Sequence, residues 1–260
     1  MTEHAQRGRE RLRLTISIET IIKVLVAVAV LLVILSYSGQ IAVRAFDWHP
    51  ERDIVHFFNL DRERNLPTTF QTLLFLGSTV TLAAIAVMAR LAGDRWTRHW
   101  AFLSLLFILL AWDEIAEIHE RFINPIRTVL DLGGIFFFAW VVPAIVFVLV
   151  VGLVYLRLVL ALERPLRERV IAAGAIFISG ALVMEAIGGW YYESIDQATD
   201  MIYVTIATVE ESLEMAGLIL FLWALLSYLS SILPGGKITI TGEPGSVYID
   251  AERDDSSTRQ

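Results

Sequence analysis

Residues 201–229 read MIYVTIATVEESLEMAGLILFLWALLSYL, a long apolar run whose only ionisable acids are Glu210, Glu211 and Glu214. A bilayer's hydrocarbon core is about 30 Å thick and takes about 20 helical residues to cross. The stretch therefore predicts a transmembrane helix that carries three carboxyl groups into the membrane. Working outward, five more runs of comparable length lie near 18–37, 70–91, 100–122, 135–158 and 170–189. Together they predict an all-α, polytopic transmembrane helix bundle of about six spans. The chain divides into a cytoplasmic N-terminal segment at 1–17, a transmembrane domain at 18–232 and a cytoplasmic, partly disordered tail at 233–260.

Composition agrees. Of 260 residues, 56% are hydrophobic and 19% charged, against about 25% charged in soluble domains, and mean hydropathy is +0.61. These values exclude a soluble enzyme or a secreted domain and make the lipid bilayer the chain's partner. No feature points to nucleic acid. The absence of cysteine excludes disulfides and thiolate metal sites. Arg7, Arg9, Arg11 and Arg13 precede the first run, but no small-residue cleavage pattern follows it, so it reads as a signal anchor. The tail opens Pro-Gly-Gly, alternates from Lys237 to Thr241 and turns at Glu243-Pro-Gly, which predicts a small hairpin. The polar run from Glu252 to Gln260 predicts disorder.

Loop charges predict the orientation, because short cytoplasmic loops are enriched in Lys and Arg. Eleven arginines fall in the N-terminus and the loops after the second and fourth spans; six fall on the opposite side. Both termini are thus expected in the cytoplasm, with the protein in the plasma (inner) membrane. Residues 42–67, which contain DWHPERDIVHFFNLDRERNLP, then form an external loop that reads as a short amphipathic cover.

The functional signal is acid inside the bilayer. The third span ends WDEIAEIHERF (112–122), with Asp113, Glu114, Glu117, His119 and Glu120; the fifth carries Glu185; the sixth carries Glu210, Glu211 and Glu214. With the predicted topology, all eight carboxyls fall in or near the outer half of the membrane. On one continuous helix Asp113, Glu117 and Glu120 would share a stripe about 60° wide, and Glu210 and Glu214 would share another. On that geometry Glu114 and Glu211 sit on the flanks, and His119 is turned about 100° from Glu120. At about 2.5–3.5 kcal/mol per ionised group near mid-membrane, eight unpaired acids would cost on the order of 20 kcal/mol. Basic partners at that depth are nearly lacking, and Lys23 is taken by Glu19 four residues earlier. The cost can be offset by a bound metal ion, by a water-filled cavity, or by protonation and hydrogen bonding to side chains such as Thr68, Gln71 or Tyr203.

FFNLDRERNLPTTF (57–70) with its NLPT, WDEIAEIHERF with its DExxxxHE, and VEESLEM (209–215) with its EExxEM together resemble an uncharacterised family of bacterial multi-pass integral membrane proteins. The likeness covers about residues 56–218. It implies a shared fold with an acidic site and carries no activity across. Better-known patterns fail: Glu117 is followed three residues later by Glu120, where a di-iron bundle needs His, and His119-Glu120 is not followed by the second His of a zinc protease.

The residues that these observations nominate as metal ligands are Asp113, Glu117, Glu120, Glu185, Glu210 and Glu214, with Glu114, His119 and Glu211 as additional candidates. A nearly all-carboxylate shell suits Mg²⁺, Ca²⁺, Mn²⁺ or Fe²⁺. The expected function is a carboxylate-rich divalent-cation site in the outer half of the bilayer, open to metal-assisted chemistry on a membrane or external substrate. A proton or cation transporter, or a noncatalytic sensing or assembly subunit, are the alternatives.

Overall fold

The computed structural model describes residues 13–14, 17–45, 52–233, 239–243 and 246–250. Most of the N-terminal segment 1–17, residues 46–51 of the expected external loop and the polar run 252–260 lie outside the described residues. Six helices are long and apolar enough to span a bilayer, and the chain is an all-α polytopic bundle. The spans are α1 (Ile18–Ala45), α3 (Leu66–Leu91), α4 (Thr97–Ala116), α6 (Val141–Ala161), a fifth helix running from Arg164 to Ser194, and α9 (Met201–Ile232). The fifth comprises α7 (Arg164–Ile178), a π-helical turn (Ser179–Met184) and α8 (Glu185–Ser194). Two short helices, α2 (Arg52–Phe58) and α5 (Ile118–Leu130), sit between spans.

Helices α3 and α9 form the centre: half of each span is buried inside the bundle, against 6% for α1 and α6. The core they share, around Leu74, Phe75, Met215 and Leu218, continues into a second cluster at Leu82, Ile85, Leu225 and Trp100. The peripheral helices leave Leu31, Ile34, Leu149 and Leu153 exposed, as a surface facing hydrocarbon requires. A small antiparallel sheet joins the ends of the chain. Its strands are β1 (Arg13–Leu14), β2 (Thr239–Glu243) and β3 (Ser246–Asp250), in that order, with Arg13 opposite Thr241 and Glu243 opposite Ser246. Pairing of β1 with β2 brings both ends of the chain to one side of the bundle, which an even number of crossings demands.

The third span departs from expectation. A continuous helix over 100–122 does not form: α4 ends at Ala116, Glu117 takes left-handed geometry (φ 53°, ψ 42°), and α5 starts at Ile118. Twenty residues at 1.5 Å rise already cover the ~30 Å core, so the charged continuation Glu117 to Arg121 is free to leave it, and Arg64 on Glu117 and Asp113 on His119 turn it aside. The amphipathic α5, with no fully buried residue, has the character of an interfacial helix.

The second span starts at Leu66, four residues earlier than its apolar run, because Asn65 caps it. The Asn65 side-chain oxygen accepts from the Thr68 N–H (3.1 Å), and its Nδ2 donates to the carbonyls of Asn59 (2.6 Å) and His56 (3.2 Å). One buried amide thus fixes both the helix start and the loop before it. Asn65→Ala is expected to lower stability by about 1–3 kcal/mol through the lost cap and the lost Nδ2 hydrogen bonds to the Asn59 and His56 carbonyls. Thermal melting checks this, and an unchanged Tm would show that the loop is held by other contacts.

Candidate functional site

The loop before α3 carries Asp61, Glu63 and Arg64. Besides Asn65, it is tied down by Ser36 on α1, whose Oγ accepts from the Leu60 N–H (3.0 Å), and by Tyr203 on α9, which donates to Asp61 (3.1 Å). Arg64 is also left-handed (φ 60°), and it grips Glu117 at 2.8 Å and 3.1 Å. Two residues in an unfavourable backbone region are thereby held by one bidentate ion pair.

The turn at Glu117 redirects everything after it. Asp113 clamps the new segment twice: one carboxylate oxygen accepts from the His119 backbone N–H (3.0 Å), and the other meets His119 Nδ1 (2.9 Å). The imidazole packs on Trp140, with ring centroids 4.8 Å apart, and presents Nε2 to Glu63 at 3.5 Å. Glu63, His119 and Glu120 each offer a donor atom, and these atoms lie within 4.8 Å of one another. That trio could hold a metal ion.

Deeper in, Gln71 of α3 donates to Glu214 (2.9 Å) and Glu114 (3.4 Å), while its Oε1 is buried without a hydrogen-bond partner. Glu185 accepts from Trp140 Nε1 (2.6 Å) and lies beside Glu210. Gly180, in the π-helical turn, makes that approach possible. A Cβ there would stand 2.7 Å from the Glu210 carbonyl and 3.1 Å from the Glu214 nitrogen. A π-turn inserts an extra residue into a helix, frequently at functional sites; here it precedes Glu185 and lays the helix backbone directly on acidic α9.

These groups line one cavity of about 740 Å³, within the range of small-molecule sites. Its head contains Glu63, His119, Glu120, Asp61 and Arg62 from the loop and α5. Asp113, Glu114, Glu185, Glu210, Glu211 and Glu214 come from the spans. Its far arm is apolar and reaches Phe107, Phe177, Phe221 and Trp100. Burial among other acids raises the Glu63 carboxyl to about 8, and burial raises Asp61 to about 6. Burial also lifts Glu120, again against neighbouring acids. Burial alone would pull His119 down, but its hydrogen bond to and charge pairing with Asp113 overcome this and raise it to about 9.

Of the nominated residues, the structure brings Glu120, Glu185, Glu210, Glu214, Glu114, Glu211, Asp113 and His119 to this cavity. The expected stripe of Asp113, Glu117 and Glu120 does not form, because the helix breaks between them. Glu117 turns to Arg64 instead. His119, rotated away on an ideal helix, becomes central for the same reason. Glu63 was missed: it lies between Arg62 and Arg64 in a loop that reads as solvated, and only its place two residues before the Asn65 cap hints that it is held rigidly.

Fold and site together define a polytopic membrane protein whose spans enclose a carboxylate-lined, half-apolar cavity. The chain belongs to the family described as a domain of unknown function (DUF8692), which it matches over residues 24–229. No curated protein and no solved structure matches it.

Proposed function

We propose that the protein binds a divalent cation through Glu63, His119 and Glu120 and uses it on a molecule occupying the cavity. The observation that carries this reading is the convergence of those three donors, from a loop and from α5, at the head of the cavity. Asp113 supports it as a positioning residue. A metal-binding imidazole generally has its other ring nitrogen held by a carboxylate, and Asp113 holds Nδ1 while leaving Nε2 directed at Glu63. Replacing an all-carboxylate shell by one with an imidazole moves the preference from Mg²⁺ and Ca²⁺ toward Mn²⁺ or Fe²⁺. Glu185, Glu210 and Glu214 lie deeper and would complete the shell, bind a second ion or face the substrate. A bound cation supplies Lewis acidity and an activated water. With both termini cytoplasmic, as the loop arginines predict, the site opens on the external half of the membrane.

The cavity wall beyond Glu214 is apolar as far as Trp100, which favours a binding site with a tail pocket over a path for protons or cations. Elemental analysis of purified protein, followed by melts with chelator and with Mn²⁺, Fe²⁺, Mg²⁺ or Ca²⁺ restored, tests the reading. Copurifying metal and a lower Tm on chelation are expected. With no divalent ion copurifying and none raising Tm at millimolar concentration, the cation reading fails.

A further inference from the structure

The cavity is longer than a cation site needs. Below the acids its lining runs from Leu110 to Trp100 on α4 and from Val148 to Leu158 on α6. Each is ten residue steps, or about 15 Å of helix at 1.5 Å per residue. That is half the ~30 Å hydrocarbon core, the reach of one leaflet's chain. Helix α6 packs on α7 and the π-turn and meets the central helices through Leu158, in the cluster of Leu82, Ile85 and Leu225, at the far end of this space. Two glycines widen it. Gly152 on α6 and Gly174 on α7 both line the cavity, and a Cβ built on either meets no atom within 4 Å. Gly152 is also exposed, so the arm opens at α6 toward the surrounding hydrocarbon.

The head has a definite chemistry as well. Nine of its lining side chains are acidic, against Arg62 and His119. The orphaned acceptor at this end is Oε1 of Gln71, a residue only 3% exposed. Such a head wants hydrogen-bond donors with positive charge. A protonated amine brings both, and its charge favours ionisation of the surrounding carboxyls, whereas phosphate, sulfate or carboxylate brings neither.

We propose that the cavity binds a single-chain amphiphile with a primary ammonium head, its head donating to Gln71 and the adjoining Glu114 and Glu214 and its alkyl tail lying along Gly152 and Gly174 between α4, α6 and α7. The tail enters from the bilayer, and the head supplies the donor that Gln71 Oε1 lacks and further donors to Glu114 and Glu214, which share the Gln71 amide. This occupancy needs no metal, because Gln71, Glu114 and Glu214 lie deeper than the Glu63, His119 and Glu120 trio.

The test uses full-length protein in lipid nanodiscs, stripped with chelator, so its outcome is separable from that of the metal analysis. Dodecylamine, dodecyl phosphate and dodecanol, which share a tail, are titrated calorimetrically into protein-loaded and empty discs. Dodecylamine is expected to bind above the empty-disc background and at least about tenfold more tightly than the other two. Gly174→Phe fills the arm where no protein atom opposes it. It is expected to keep the wild-type Tm and weaken dodecylamine by about tenfold or more. Gln71→Leu should weaken the amine and leave dodecanol unchanged. Dodecyl phosphate binding as tightly as dodecylamine would overturn the assignment of the head, and wild-type dodecylamine affinity in a folded Gly174→Phe would overturn that of the tail. No binding above background overturns both.

Discussion

Gly180→Val is expected to cost on the order of 3 kcal/mol or more, the upper range for overpacking a close contact, and to lower Tm on the order of 10 °C. The clash is with backbone, which cannot rotate aside. A Cβ at 180 falls 2.7 Å from the Glu210 carbonyl and 2.9 Å from Glu214 Cγ, and one at Gly217 falls 2.7 Å from the Phe177 nitrogen. Small residues let membrane helices approach closely, and packing is the main force between them, so both glycines hold the seam between α9 and the fifth span. Gly217→Val should behave alike. Since Gly180 also sets Glu185 against Glu210, a Gly180 variant that still folds should lose ligand binding as well. Melting of the purified variants checks the first point. A Gly180→Val protein with wild-type Tm would mean that the π-turn is not packed against α9 as described.

His119→Ala is expected to reduce divalent-cation affinity by more than about a hundredfold, and Asp113→Asn by about 10–100-fold, the usual cost of losing a partner that orients a metal-binding imidazole. The graded pair matters more than either value. Asp113→Asn keeps the shape at that position but removes the charge facing Nδ1, so a weaker but measurable binding separates positioning from ligation. Metal content and calorimetric titration measure both. If His119→Ala keeps wild-type metal content, the trio does not hold the ion and the deeper acids must.

The number of spans was legible because bilayer thickness imposes one length on every crossing, and runs such as 201–229 meet it without help from tertiary contacts. Their ends were not, because they depend on single residues. Asn65 pulls α3 back to Leu66, and the clamps on Glu117 and His119 stop α4 at Ala116. The break at Glu117 has no local mark. Neither Gly nor Pro stands there, and the left-handed turn is imposed from outside by Arg64 on Glu117 and by Asp113 on His119. Ideal helical periodicity therefore grouped the wrong members of WDEIAEIHERF and turned His119 away. The acids of α9 and Glu185 were readable, since carboxyls within apolar runs are conspicuous in any solvent argument. Glu63 was not, because its burial comes from a loop folded over the bundle by Asn65, Ser36 and Tyr203.

The order of synthesis gives the central position of α9 a further meaning. As the sixth span, it leaves the ribosome after the helices that it packs against, α1, α3, α7 and α8. Its three glutamates need not wait in lipid for partners made later. Gln71, Glu185 and the Gly180 turn already exist when they enter. The β1–β2 pairing, between residues some 225 positions apart, can close only afterwards. Biogenesis thus delivers the most costly segment into a prepared slot, and a chain truncated before α9 would leave Glu185, Gln71 and the α3 face uncovered in the membrane, in the form that quality-control proteases recognise.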